Sequence, residues 1–339
     1  MELAADRRRG RGRGRDRLMA IAEVKPMKSV ADGAREPVLE ISGLTKRYGK
    51  LTAVDGISFA VPRGETFGLL GPNGAGKTTT LEIIEGLRSP DAGLITLLGK
   101  DAVKQRRAVQ ERIGVQLQSQ TLWVELTVEE TLKLFAAVFR NPVPIHPLME
   151  RFSLSEKRGE LVRGLSGGQK QRLSVATALV NDPDIIFLDE PTTGLDPSAR
   201  QSFWDLIREL QADGKTVIVT THYMEEAEVL CDRVAIMDRG QIMALDTPRQ
   251  LVRGLSFDST VECGFPGAVL AETLEALPAV RDVKSEDAAF VLFTDDVAAT
   301  LAGLMEVRDD AGQRVKSLHV RTATLEDVFI SHTGRRLRD

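Results

Sequence analysis

The stretch GPNGAGKTT, residues 71–79, constrains this chain more than any other. It matches G-x-x-x-x-G-K-[S/T] from Gly71 to Thr78, directly after the apolar ETFGLL and directly before the helix-forming TTLEIIEGL. A glycine-rich turn of this kind works at the end of a strand that feeds a helix, where backbone N–H groups converge on one anion. The spacing therefore predicts an α/β layer with a buried strand leading into residues 71–79. Backbone N–H groups of Gly74, Ala75, Gly76, Lys77 and Thr78 are placed to wrap a β-phosphate. Lys77 reaches the β- and γ-phosphates, and the Thr78 hydroxyl ligates Mg²⁺.

Such a loop also needs a carboxylate for its metal. PDIIFLDEP, residues 183–191, supplies one: four apolar residues, Ile185 to Leu188, precede Asp189. Asp189 is the expected Mg²⁺ partner. Glu190 follows directly, projects the other way and is placed to polarise a water. A second anion-binding pattern lies in LSGGQKQR, residues 165–172. A serine, two glycines and a helix-forming run make a helix start with free N–H groups and little steric cover. One chain thus carries two phosphate-type cradles, which a single bound nucleotide does not explain.

The remaining pattern divides the chain. Residues 1–37 hold ten Lys and Arg against six Asp and Glu, a net of +4 within an overall −4. This arginine- and glycine-rich segment cannot bury a core and reads as a disordered basic tail, with a start at Met19 as the alternative. The apolar piece LMAIAEV after it is too short for a secretory signal. VLEISGL alternates like an edge strand, and TAVDGISFAV reads as its neighbour. KTVIVTTH, residues 215–222, reads as a buried parallel strand, and a hairpin is expected at Arg239-Gly240. Between about 119 and 180 the pattern turns helical: Thr127 and Glu130 make a capping box, and Leu132, Phe135, Ala136 and Phe139 share a face. A mixed sheet with a helical insertion is expected over 38–252. Residues 253–339 read β-α-β-β-α-β plus a tail helix, a small ferredoxin-like accessory domain.

Composition closes off other classes. With 42% hydrophobic residues the chain can bury a full core. Cys231 and Cys263 stand far apart with no histidine nearby, so they form no metal or redox motif. No run approaches the ~18 apolar residues that span a bilayer, so work at a membrane needs another chain for the span.

With LSGGQ among its motifs, the stretch 38–250 resembles the nucleotide-binding subunits of ABC transporters, with seven motifs in order. The resemblance implies an α/β P-loop NTPase fold of ABC type. It also implies that Tyr48 in KRYG stacks on adenine. Gly71, Pro72, Asn73, Gly74, Ala75, Gly76, Lys77, Thr78 and Thr79 form the Walker A loop. Gln118 in IGVQLQ is the Q-loop residue, linking the metal to the helical part, with Gln116 the alternative. Ser166, Gly167, Gly168 and Gln169 are the signature. Asp189 and Glu190 close Walker B, Asp196 in GLDP marks the D-loop, and His222 contacts the γ-phosphate. His146, His319 and His332 lack such context and read as structural or surface.

The same resemblance answers the question of two cradles. Two copies would pair head to tail, each ATP lying between Lys77 of one and Ser166 of the other. ATP and Mg²⁺ are the implied cofactors. The catalytic set is Glu190, His222, Gln118 and Lys77. The tail TATLEDVFISHTGRRLRD is similar to daunorubicin-resistance-type exporters, which work with a separate ABC-2 type permease. The implied chain is cytoplasmic, peripheral on the inner membrane face, and exports a drug, lipid or polysaccharide without binding nucleic acid. A soluble regulatory ATPase that binds nucleic acid through its arginine tail is the alternative.

Overall fold

Alternate residues of the central strands point into two different cores. The structure, a computed structural model, describes residues 36–117, 122–286 and 289–334. A six-stranded sheet runs in the order Gln241–Asp246, Arg233–Asp238, Thr66–Leu70, Thr216–Thr221, Ile185–Asp189, Ile113–Gln116. All neighbours are parallel except the Gln241–Asp246 strand, which folds back antiparallel. Its hairpin turns at Arg239 and Gly240, φ 47° and 81°, as DRG predicts. Leu70, Ile186, Leu188, Val217 and Val219 enter one core; Phe67, Leu69, Ile185, Phe187 and Ile218 enter the other. With both faces covered, these strands read as unbroken apolar runs.

A second, antiparallel sheet has the order Leu51–Pro62, Pro37–Tyr48, Ala92–Leu97, Lys100–Asp101. This corrects two expectations. Residues 38–252 hold two sheets rather than one mixed sheet. VLEISGL lies in an interior strand, paired on both sides, rather than at an edge. Its alternation reports one buried and one wet face, which an interior antiparallel strand shares with an edge strand. Phe59 stacks on Phe67, centroids 5.1 Å apart and planes at 9°, and joins the two sheets.

The helical insertion is built from Val128–Ala136, Ile145–Arg151 and Gly167–Ala178. Its entry is the predicted capping box: Glu130 N–H donates to Thr127 Oγ1 at 3.2 Å, and Thr127 N–H donates to the Glu130 carboxylate at 2.9 Å. Leu132 and Ala136 are buried in the core, and Phe135 and Phe139 are half-buried against it.

After residue 255 a third sheet forms, in the order Val280–Glu286, Ala289–Thr294, Ser259–Gly264, Ser317–Thr322, every pair antiparallel. It has its own small core of Val261, Cys263, Leu274, Leu292 and Leu304. The first helix of the expected β-α-β-β-α-β order is short, Ala271–Glu275. The closing helix, Leu325–Thr333, packs elsewhere. Leu325, Val328 and Phe329 join the larger core beside Ala227 and Leu230, and Leu325 N–H donates to the Glu228 carboxylate at 2.8 Å. Among the described residues, no helix is long and apolar enough to cross a membrane.

Candidate active site

The loop after strand Thr66–Leu70 depends on glycine. Gly76 sits at φ 103°, and a Cβ there would lie 2.3 Å from the Ala53 carbonyl oxygen. Gly76 is also the N-cap of helix Lys77–Ile84 and offers it no side-chain cap. The first-turn N–H groups therefore keep their capacity for an anion. Asn73, Gly74, Ala75, Gly76, Lys77, Thr78 and Thr79 line one hollow with Tyr48, Glu190 and His222. Gly71 and Pro72 contribute differently: their carbonyls accept from Lys77 Nζ at 2.7 and 3.1 Å. Tyr48 is 40% exposed, with Lys46 Nζ and Arg88 Cζ 5.6 and 5.7 Å from its ring centre.

The two acids of FLDE part company just where strand Ile185–Asp189 ends. Asp189 accepts from Thr78 Oγ1 at 3.3 Å and from the Thr220 hydroxyl, a short contact. Burial holds its carboxyl above the usual aspartate range, with the two hydroxyls opposing. Glu190 turns the other way because its backbone is left-handed, φ 47°. That conformation costs a non-glycine residue on the order of 1–2 kcal/mol. Glu190 N–H is held there by Thr220, donating to its Oγ1 at 2.9 Å and its carbonyl at 3.2 Å. The carboxylate then lies between two nitrogen-bearing side chains. Lys77 Nζ is 3.4 Å from Oε1, and His222 Nδ1 is 3.2 Å from Oε2. Burial lowers the Lys77 ammonium from the ordinary lysine range, with Glu190 and then Asp189 raising it.

The signature occupies a different hollow. Ser166 caps helix Gly167–Ala178 through a capping box with Gln169: Gln169 N–H donates to Ser166 Oγ at 3.3 Å, and Ser166 N–H donates to Gln169 Oε1 at 2.9 Å. Ser166 and Gly167 are exposed. Asp196 caps the next helix, Pro197–Ala212, by accepting from Ala199 N–H at 2.9 Å. Ser166, Gly167, Gly168, Gln169 and Asp196 line this second hollow, which shares no lining residue with that of Lys77. Gln118 lies outside the described residues. Gln116, the alternative, is buried and donates to the Leu117 carbonyl at 2.9 Å.

A family model for ABC transporters matches residues 54–193. A Ralstonia nicotianae protein, Nod factor export ATP-binding protein I, is 44% identical over 312 residues, covering 89% of this chain and 96% of its own length. The protein of the same name from Mesorhizobium japonicum is 39% identical, covering 92% of this chain and 91% of its own. This chain is an ABC transporter ATP-binding protein. Its activity is ATP hydrolysis coupled to transport. Solved structures agree. An ATP-binding subunit of an ABC transporter aligns with TM-score 0.58 and 30% identity over 64% of this chain and 92% of its own. A dimeric bacterial ABC transporter cassette aligns with TM-score 0.56 and 27% identity, over 62% of this chain and 98% of its own.

Two groups of this ABC ATPase site escaped the sequence reading. Thr220 holds both acids, and Thr193 Oγ1 lies 3.5 Å from Glu190 Oε2. The signal for Thr220 is the strand register: Asp189 and Thr220 are direct partners in the parallel pair. Nothing local to VIVTTH reports that pairing.

A third acid near the site makes a prediction. Glu85 ends the Lys77–Ile84 helix, is 3% exposed, and neither oxygen has a hydrogen-bond partner among the described residues. Burial, then the charges of Asp189 and Glu82, push its carboxyl up from 4.5 to about 8. Between these values the unfolded chain is ionised while the folded chain holds its proton. The contribution of Glu85 to stability therefore falls as pH rises through that window, by at most ~1.4 kcal/mol per pH unit. Glu85→Gln should match wild type near pH 4.5 and exceed it by ~2–5 kcal/mol above pH 8, read by urea unfolding. A gap that does not change with pH would refute the assignment.

Proposed function

We propose that this ABC ATPase powers export through a separate ABC-2 type permease, as a head-to-tail pair of chains that sandwich two ATP molecules. The observation that supports it best is the separation of the two hollows. The loop of Lys77 and the signature of Ser166 face different spaces in one chain, so each needs a second chain to complete it.

In this reading Lys77 leaves the loop carbonyls and Glu190 for the β- and γ-phosphates. Glu190, released at Oε1 and steadied at Oε2 by His222, orients the attacking water, and His222 contacts the γ-phosphate. Thr78 and Asp189 would hold Mg²⁺. A hydroxyl and one buried carboxylate 3.3 Å apart suit a hard ion that takes its other oxygens from water and phosphate. The ion, when bound, neutralises phosphate charge. Tyr48 stacks on adenine, and Ser166, Gly167, Gly168, Gln169 and Asp196 close over the partner's nucleotide. Gln118 would join the metal to the helical insertion.

For the permease we assign the groove of about 660 Å³ beside the insertion, walled by Leu87, Leu117, Trp123, Phe135, Val138 and Phe139. Phe135 and Phe139 serve both core and groove. In this reading the chain sits on the cytoplasmic face of the membrane. Residues 253–339 are read as a ferredoxin-like accessory domain, a reading favoured by their strand order and antiparallel pairing. The named relatives export Nod factor. We carry over export, with a drug, lipid or polysaccharide cargo chosen by the permease. Affinity purification of the tagged chain from detergent-solubilised membranes tests the reading. An integral-membrane protein should come with it and raise its ATP turnover. Recovery only from the membrane-free fraction, with turnover indifferent to membranes, would refute it.

A further inference from the structure

Helix Met224–Leu230 starts two residues after His222 and carries Glu225, Glu226 and Glu228. Glu225 and Glu228 are exposed. Glu226 is fully buried. Four groups from three other segments surround its carboxyl. The Thr221 hydroxyl ends strand Thr216–Thr221, and the Thr192 hydroxyl belongs to the loop after Glu190. The Trp204 indole N–H and the Arg200 guanidinium come from helix Pro197–Ala212. They stand at looser geometry than a regular hydrogen bond: both carboxyl oxygens of Glu226, Thr192 Oγ1, Trp204 Nε1 and Arg200 Nε have no hydrogen-bond partner among the described residues. Burial raises the Glu226 carboxyl, and the hydroxyls, indole and guanidinium draw it back. Arg200 also covers the Tyr223 ring at 4.7 Å.

An apolar side chain would fill this space with less desolvation cost. What a carboxyl adds is direction, because it orients every donor around it. The segments that meet on it are those of the reaction. Thr192 follows Glu190 by two residues, Thr221 precedes His222 by one, and Arg200 lies four after Asp196. We propose that Glu226 is a positioning residue for ATP hydrolysis. Through Thr221 and Thr192 it keeps the His222 loop in register with Glu190. Through Arg200 and Trp204 it ties both to the helix that Asp196 begins. It touches no part of the nucleotide. This rests on the roles given above to Glu190 and His222, and the test separates the two.

Glu226→Gln keeps the shape and replaces one acceptor oxygen with an amide donor. Its kcat should fall about 10-fold with KM for ATP within about two-fold, the split of lost transition-state positioning rather than lost binding. Added to His222→Ala, the same change should cost less than about three-fold more, because the group it positions is gone. Multiplicative losses in the double variant overturn the proposal, as does a kcat within about two-fold of wild type for Glu226→Gln. Should Glu226→Gln fail to fold, Trp204→Phe replaces it. That change deletes one donor, with an expected kcat loss of about three-fold that disappears in the His222→Ala background. Normal turnover in His222→Ala with a lowered kcat in Glu226→Gln would fault the role of His222 and leave the tie to Glu190 standing.

Discussion

Glu190→Gln should lower kcat by about 10²–10⁴-fold while leaving ATP binding intact or tighter. The reason lies in the two contacts of the carboxylate. Glu190 now holds Lys77 at 3.4 Å and His222 at 3.2 Å inside the protein. An amide keeps the size and the close approach to His222. It loses the negative charge proposed to polarise water and to compete with the γ-phosphate for Lys77. Turnover therefore suffers, and binding does not. In the presence of ATP and Mg²⁺ the variant should elute as a stable dimer where wild type passes through that state. Steady-state kinetics and size-exclusion chromatography read both effects. A kcat within about three-fold of wild type would remove Glu190 from the reaction.

A mixture of Lys77→Ala and Ser166→Arg chains should recover activity that neither has alone. Lys77→Ala removes the phosphate cation. Ser166→Arg puts a long cation on the helix start whose N–H groups are proposed to meet the partner's phosphate. If each site is built from two chains, a mixed pair holds one site with both defects and one with none. Half of the pairs in an equal mixture are mixed, so about one quarter of all sites should be intact. Turnover near that fraction of wild type is expected, scaling with the product of the two concentrations. If both halves of a site came from one chain, no mixture would recover activity.

The parts of the site that were legible in the sequence are those set by short-range geometry. GPNGAGKT is complete within one turn, and its glycines are required by local backbone and by the close Ala53 carbonyl. Asp189 and Glu190 were legible because they end an apolar run, although the left-handed backbone that turns Glu190 away was not. His222 was legible only by its place after a buried strand. Thr220 was not, since its role comes from a strand partner 31 residues away. In MEEAEVL, residues 224–230, the three acids look alike, and nothing in their order says that Glu226 alone turns inward.

The chain by itself determines the phosphate loop, the strand–turn–helix around it, the order of the motifs and the helix caps at Thr127 and Ser166. All of these are fixed by backbone sterics and hydrogen bonds between near neighbours. Only the tertiary structure decides that Pro37–Tyr48 is an interior strand, that the helix Leu325–Thr333 returns to the larger core, and that Lys77 and Ser166 face separate hollows. These depend on which surfaces lose water against each other. Burial is a property of pairs of segments, and no single segment encodes its partner.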